Sequence, residues 1–117
     1  MKALITLLLT IFSLTAAASD PQNAYSMVEK GEAVIIDVRE KDEVEEGMIK
    51  NAKWFPLSKV MNAKDWKKDF KKLTEGKKIF LYCRSGNRSG KVLNILKENG
   101  ITSSNLGGYE DLLKVLK

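Results

Sequence analysis

The chain reads as an α/β domain with a mainly parallel central sheet and helices on both faces. Three observations predict it. Strand-like and helix-like segments alternate along most of the chain, the order that parallel crossover units impose. The segments Ala33-Val34-Ile35-Ile36-Asp37 and Lys78-Ile79-Phe80-Leu81-Tyr82 are continuous apolar runs, as expected of parallel strands buried on both faces. No repeat, low-complexity tract or Pro/Gly/Ser-rich linker divides the chain after its first residues, and 117 residues suffice for one compact domain.

Asp20-Pro21 opens a helix over 20–30, with Ala24, Tyr25 and Val28 inward, and Gly31 stops it. The first strand covers 33–37. An acidic helical stretch over 41–46 ends at Gly47, and a short strand over 52–55 is closed by Pro56. A Lys-rich amphipathic helix over 64–73 carries Trp66 and Phe70. The clearest strand, 78–82, leads to a helix over 88–99 with Val92, Leu93, Ile95 and Leu96 as its apolar face and Gly100 as its stop. A short strand over 103–106 and an amphipathic helix over 109–116 complete the order. Trp54, Phe55, Trp66 and Phe70 are expected in the core. Lys64, Lys67, Lys68, Lys71, Lys72, Lys77 and Lys78 are expected on a solvated face.

Composition excludes several chemistries. The chain has no histidine, so a histidine base, a Ser-His or Cys-His pair and a His-ligated metal are ruled out. It has one cysteine, Cys83, so CxxC redox pairs, cysteine zinc clusters and intramolecular disulfides are ruled out as well. The formal charge of +5 suits small anionic substrates. No basic helix interleaved with aromatics argues for nucleic acid.

The amino terminus has the layout of an export signal. Lys2 precedes an apolar run from Ala3 to Leu14 and a small-residue site, Ala16-Ala17-Ala18. Residues 1–18 are expected to be cleaved, leaving one domain over 19–117, periplasmic or secreted and without stable membrane association. An unpaired thiol in an oxidising compartment points to retention for reactivity.

The chemistry concentrates in Cys83-Arg84-Ser85-Gly86-Asn87-Arg88-Ser89, placed between a strand and a helix. A strand that enters a short Gly-containing loop and re-emerges as a helix aims several amides at one point, and the helix N-terminus adds positive charge. A thiol there ionises readily. Cys83 supplies the nucleophile and the amides from Arg84 to Ser89 form a cradle. Gly86 lets the backbone curl, and Arg84 and Arg88 bind oxyanions. Ser89 starts the helix and can turn its hydroxyl to the sulfur. The alternative is a buried structural cysteine beside solvent-facing arginines. Asp37-Val38-Arg39 and Gly107-Gly108 fall at two other strand ends, where open α/β sheets place ligands.

These residues resemble the rhodanese family of thiosulfate sulfurtransferases. The loop matches Cys-Arg-x-Gly-x-Arg. Ile36-Asp37-Val38-Arg39, with Glu43 and then Gly47-Met48-Ile49, is similar to the family's Asp-x-Arg-x-x-x-Glu and Gly-His-Ile stretch. Ala52 and Phe55-Pro56-Leu57 resemble the segment after it, and Leu106-Gly107-Gly108-Tyr109 the closing Leu-x-Gly-Gly. Met48 stands for the usual histidine and Leu112 for a frequent tryptophan, and the strand that usually precedes the first helix is not evident.

The resemblance implies a rhodanese-like domain without metal or organic cofactor. Cys83 would take the outer sulfur of a small anionic donor such as thiosulfate, hold it as a persulfide and pass it to cyanide or a thiol. Asp37 and Arg39 would support the site by tying strand ends together. A homodimer could cover Cys83. Two other functions fit the loop: a persulfide carrier or anion-binding module that docks to a partner, and a cysteine-dependent phosphatase. The phosphatase pattern has five residues between Cys and Arg, whereas four separate Cys83 from Arg88, and no aspartate general acid can be placed.

Overall fold

The computed structural model describes residues 20–116. The leader over 1–18 expected from sequence lies outside the described residues. The elements, in order, are α1 (Pro21–Glu29), β1 (Ala33–Asp37), α2 (Lys41–Val44), β2 (Lys53–Trp54), α3 (Leu57–Asn62), α4 (Trp66–Thr74), β3 (Lys78–Cys83), α5 (Asn87–Glu98), β4 (Ser104–Gly108) and α6 (Tyr109–Val115). The four described strands form one sheet, ordered β2-β1-β3-β4, and every pairing is parallel.

The two-residue period of β1 and β3 divides the core. Val34, Ile36, Ile79, Leu81 and Cys83 face one layer with Val60 of α3, Phe70 of α4 and Val92 and Leu96 of α5. Ala33, Ile35, Phe80 and Tyr82 face the other, with Ala24 of α1 and Leu112 of α6. Both central strands are therefore apolar between Ala33 and Ile36 and between Ile79 and Leu81, because each face is covered by helices. Register pairs Asp37 with Tyr82 and Cys83 with Gly108, so the polar ends of β1, β3 and β4 emerge along one edge.

Local chemistry sets the element ends. Asp20 caps α1 by accepting from Gln22 N–H at 3.1 Å, with Pro21 in the first turn. In α2, Glu43 reaches back to the Glu40 N–H at 3.1 Å, half of a capping box.

Three expectations need correction. Helix α3 occupies a stretch to which the sequence reading assigns no element. It has six residues and one buried side chain, Val60, and its first turn is held by Glu40, which accepts from Ser58 N–H at 3.1 Å and Ser58 Oγ at 2.6 Å. That partner lies 18 positions upstream, outside any local sequence window. Trp54, expected in the core, is 41% exposed because β2 is a two-residue edge strand; its indole donates to the Arg39 carbonyl at 2.8 Å. Strand β4 continues through Gly107-Gly108, past the expected end at 106. Phe55 and Phe70 are buried as expected, edge to face at 5.1 Å, and Trp66 packs on Phe70 from a half-buried position.

Candidate active site

The site begins where β3 ends. Cys83 is its last residue, and α5 starts at Asn87, one residue ahead of the expected start. The chain reverses in between through Gly86, whose φ of +94° favours glycine. A side chain at Gly86 would also press on Gly107 Cα at 3.2 Å. On the far side, a Cβ at Gly108 would sit 2.5 Å from the Arg84 carbonyl oxygen. The Gly107-Gly108 pair is thus the floor on which the cysteine loop lies: the missing side chains of Gly86 and Gly108 set how closely β4 and the loop approach, whereas a Cβ at Gly107 would meet nothing within 4 Å.

The Sγ of Cys83 accepts from Gly86 N–H at 3.0 Å and from Ser89 N–H at 3.4 Å, with the Ser89 hydroxyl also at 3.4 Å. Burial pushes the thiol pKa up, but the Ser89 hydroxyl and the amides of Ser89, Ser85 and Gly86 outweigh it, so the thiol lies below its ordinary value. Ser89 belongs to the first turn of α5 and is buried. Its hydroxyl has one proton and a second acceptor, Asn105 Oδ1 at 2.8 Å. Ionisation of the thiol makes the sulfur the stronger competitor for that proton.

Asn105 is a positioning residue that the sequence did not single out. Its Oδ1 accepts from Ser89 Oγ and from Gly107 N–H at 2.9 Å, and its Nδ2 donates to the Gly86 carbonyl at 2.9 Å. One amide therefore fastens β4, the loop and α5. Its only sequence signal was a polar residue in a short strand next to the glycine pair.

Arg84 and Arg88 were expected to face an anion. Both are engaged by Glu43 instead. Arg88 forms a two-pronged pair with its carboxylate at 2.6 and 2.7 Å, and Arg84 Nε donates to it at 3.0 Å. The paired guanidinium groups, Arg88 foremost, hold the Glu43 carboxyl far below the usual carboxylate range. The Arg84 side chain remains 57% exposed. Ser85 and Asn87 lie exposed on the outer side of the loop. Cys83 itself exposes none of its surface.

Asp37 and Arg39 form a separate, buried tie. The Asp37 carboxylate accepts from Arg39 N–H at 2.9 Å, from the Arg39 guanidinium at 2.8 Å and from the Tyr82 hydroxyl. Tyr82 Oη in turn accepts from Ile49 N–H at 3.0 Å. The Arg39 guanidinium donates to the Gly47 carbonyl at 2.6 Å and lies 4.1 Å over the Tyr109 ring. Because the residues of a strand alternate, this network belongs to the sheet face opposite Cys83. It joins the ends of β1 and β3 to the 47–49 segment and α6.

Fold and site together define an α/β domain whose strand-end cysteine is held by amides at the start of a helix. Residues 20–116 match the Rhodanese-like domain, and the chain belongs to that family. It is 37% identical over 70 residues to the uncharacterized protein YqhL of Bacillus subtilis, covering 60% of this chain and 51% of that one. It is 31% identical over 99 residues to a tRNA uridine(34) hydroxylase of Bacillus cereus, covering 85% of this chain. The chain thus spans about half of the first relative's length and 28% of the second's. A rhodanese-related protein from Thermoplasma volcanium superposes with a TM-score of 0.67 at 26% identity, covering 85% of this chain and 93% of that one.

Proposed function

We propose that the domain is a sulfurtransferase that moves a sulfane sulfur from a donor such as thiosulfate to cyanide or a thiol through a persulfide on Cys83. The observation that carries this reading is the cradle. A thiol with lowered pKa accepts hydrogen bonds from Gly86 N–H and Ser89 N–H at one turn of backbone. The thiolate attacks the outer sulfur of the donor and a new S–S bond forms. The bond between the donor's two sulfurs breaks, and its electron pair leaves with sulfite. The acceptor then attacks the outer sulfur of the persulfide, and the electron pair of that S–S bond returns to Cys83 Sγ. The same amides that favour the thiolate favour an anionic persulfide, because both place negative charge at the mouth of one loop.

Family membership, the cysteine loop and the glycine floor all support this reading. We further propose that residues 1–18 direct export and that the transferase works in the periplasm or outside the cell. The test of function is turnover of thiosulfate and cyanide, with Cys83→Ser beside the wild type. Sulfite and thiocyanate formed only by the wild type are the expected result. A wild type that gains a sulfur but does not turn over would make the domain a carrier for a specific partner.

A further inference from the structure

The Ser89 hydroxyl lies between two acceptors and has one proton to give. Asn105 Oδ1 is 2.8 Å away and Cys83 Sγ 3.4 Å. Backbone, not Ser89, fixes which way the Asn105 amide points. Gly107 N–H can only donate, and it faces Oδ1 at 2.9 Å; the Gly86 carbonyl can only accept, and it faces Nδ2 at 2.9 Å. A flipped amide would set donor against donor and acceptor against acceptor. Oδ1 therefore stays turned to Ser89, which meets it by donating.

This arrangement serves Cys83 differently in its three states. In the thiol, S–H can donate to Ser89 Oγ while Ser89 donates onward to Asn105. In the thiolate, the charge sits on Sγ and the hydroxyl turns to it, since a bond to a charged acceptor outweighs a neutral one. In the sulfur-loaded form, Sγ is bonded on both sides and the charge sits on the outer sulfur, about 2 Å away. Sγ then offers a donor little, and Oδ1 is the better acceptor again. We propose that Asn105 is a positioning residue that takes back the Ser89 proton when Cys83 carries sulfur, and so biases the enzyme toward its loaded form. The proposal rests on the sulfur-transfer reading above. The loading step needs no external proton. The Cys83 thiolate bonds to the outer sulfur of thiosulfate, the donor's S–S bond breaks, and its electron pair leaves with sulfite. One negative charge on the protein and two on the donor become one on the persulfide and two on sulfite.

The test is intact mass in mixtures of thiosulfate and sulfite at a fixed ratio, at a pH where Cys83 is a thiolate, read as loaded against free protein. Alkylation rate against pH is the second readout. In Asn105→Ala the loaded-to-free ratio falls about fivefold, the scale of one neutral hydrogen bond. The acid limb of alkylation moves to lower pH, because the thiol also loses its relay while the thiolate loses nothing. A residue that only fastens the loop gives the opposite shift, since a loosened loop takes its amides from the thiolate. In a Ser89→Ala background, Asn105→Ala changes neither readout, because no hydroxyl proton remains to be held. An acid limb that moves up, or a ratio that falls as far without the hydroxyl as with it, would overturn the proposal. If Asn105→Ala does not fold, Ser89→Ala decides. Its loaded-to-free ratio rises where the hydroxyl serves the thiolate and returns to Asn105 on loading; a fall would mean that the hydroxyl follows the outer sulfur, and the proposal would be lost. Wild type that gains no sulfur would overturn the transferase reading itself, a separate outcome from a loaded protein whose ratio ignores Asn105.

Discussion

Ser89 shows how little local chemistry the site needs to make a reactive sulfur. Its amide and hydroxyl both lie 3.4 Å from Sγ, and a hydrogen bond to a charged group contributes roughly 1.5–3 kcal/mol. Ser89→Ala removes the hydroxyl and leaves the amides. The thiol pKa is then expected to rise, because the hydroxyl's hydrogen bond favours the thiolate. Because the thiolate is the nucleophile, the acid limb of the pH–rate profile moves up by the same amount, and alkylation rate against pH checks it. Asp37 belongs to structure instead. Asp37→Asn leaves the buried Arg39 guanidinium without its charge partner, and loss of about 3–5 kcal/mol is expected in denaturant titration. Glu43 links stability to pH. Its carboxyl is held far below the usual range by Arg88 and Arg84, so its contribution is complete above the ordinary carboxylate pKa and fades as pH falls toward the folded-state value. The Tm gap between wild type and Glu43→Gln should therefore be widest at neutral pH and narrow in acid.

Among the elements, β4 and the cysteine loop act as one unit. Gly108→Ala places a Cβ 2.5 Å from the Arg84 carbonyl oxygen, and backbone cannot yield as a flexible side chain can. The loop must shift, so sulfur transfer is expected to fall by at least about tenfold while far-ultraviolet circular dichroism stays native. Crossover order, the two buried strands and the Cys83–Ser89 loop were legible because each is written in a contiguous stretch with its own period or turn residue. Helix α3 was not, since its cap comes from Glu40 far upstream. Asn105 and the Glu43 clamp were not, since each acts on elements remote in sequence. Residue types marked Arg84 and Arg88 as cationic; only packing shows that one carboxylate occupies both.

At the scale of the molecule, sheet order and strand parity separate two tasks. One face of β1 and β3 ends in Cys83 and its loop. The other ends in the buried Asp37–Arg39–Tyr82 network that ties the strand ends. The buried network and the cysteine loop therefore meet at one sheet edge without sharing a side chain. The measurement that tests the central claim most directly is the intact mass of reduced protein after brief exposure to a sulfane-sulfur donor, wild type beside Cys83→Ser. The account predicts a gain of one sulfur atom on the wild type, none on the variant, and loss of that sulfur on adding cyanide. A folded wild type that gains no sulfur, or a variant that gains it equally, would contradict it.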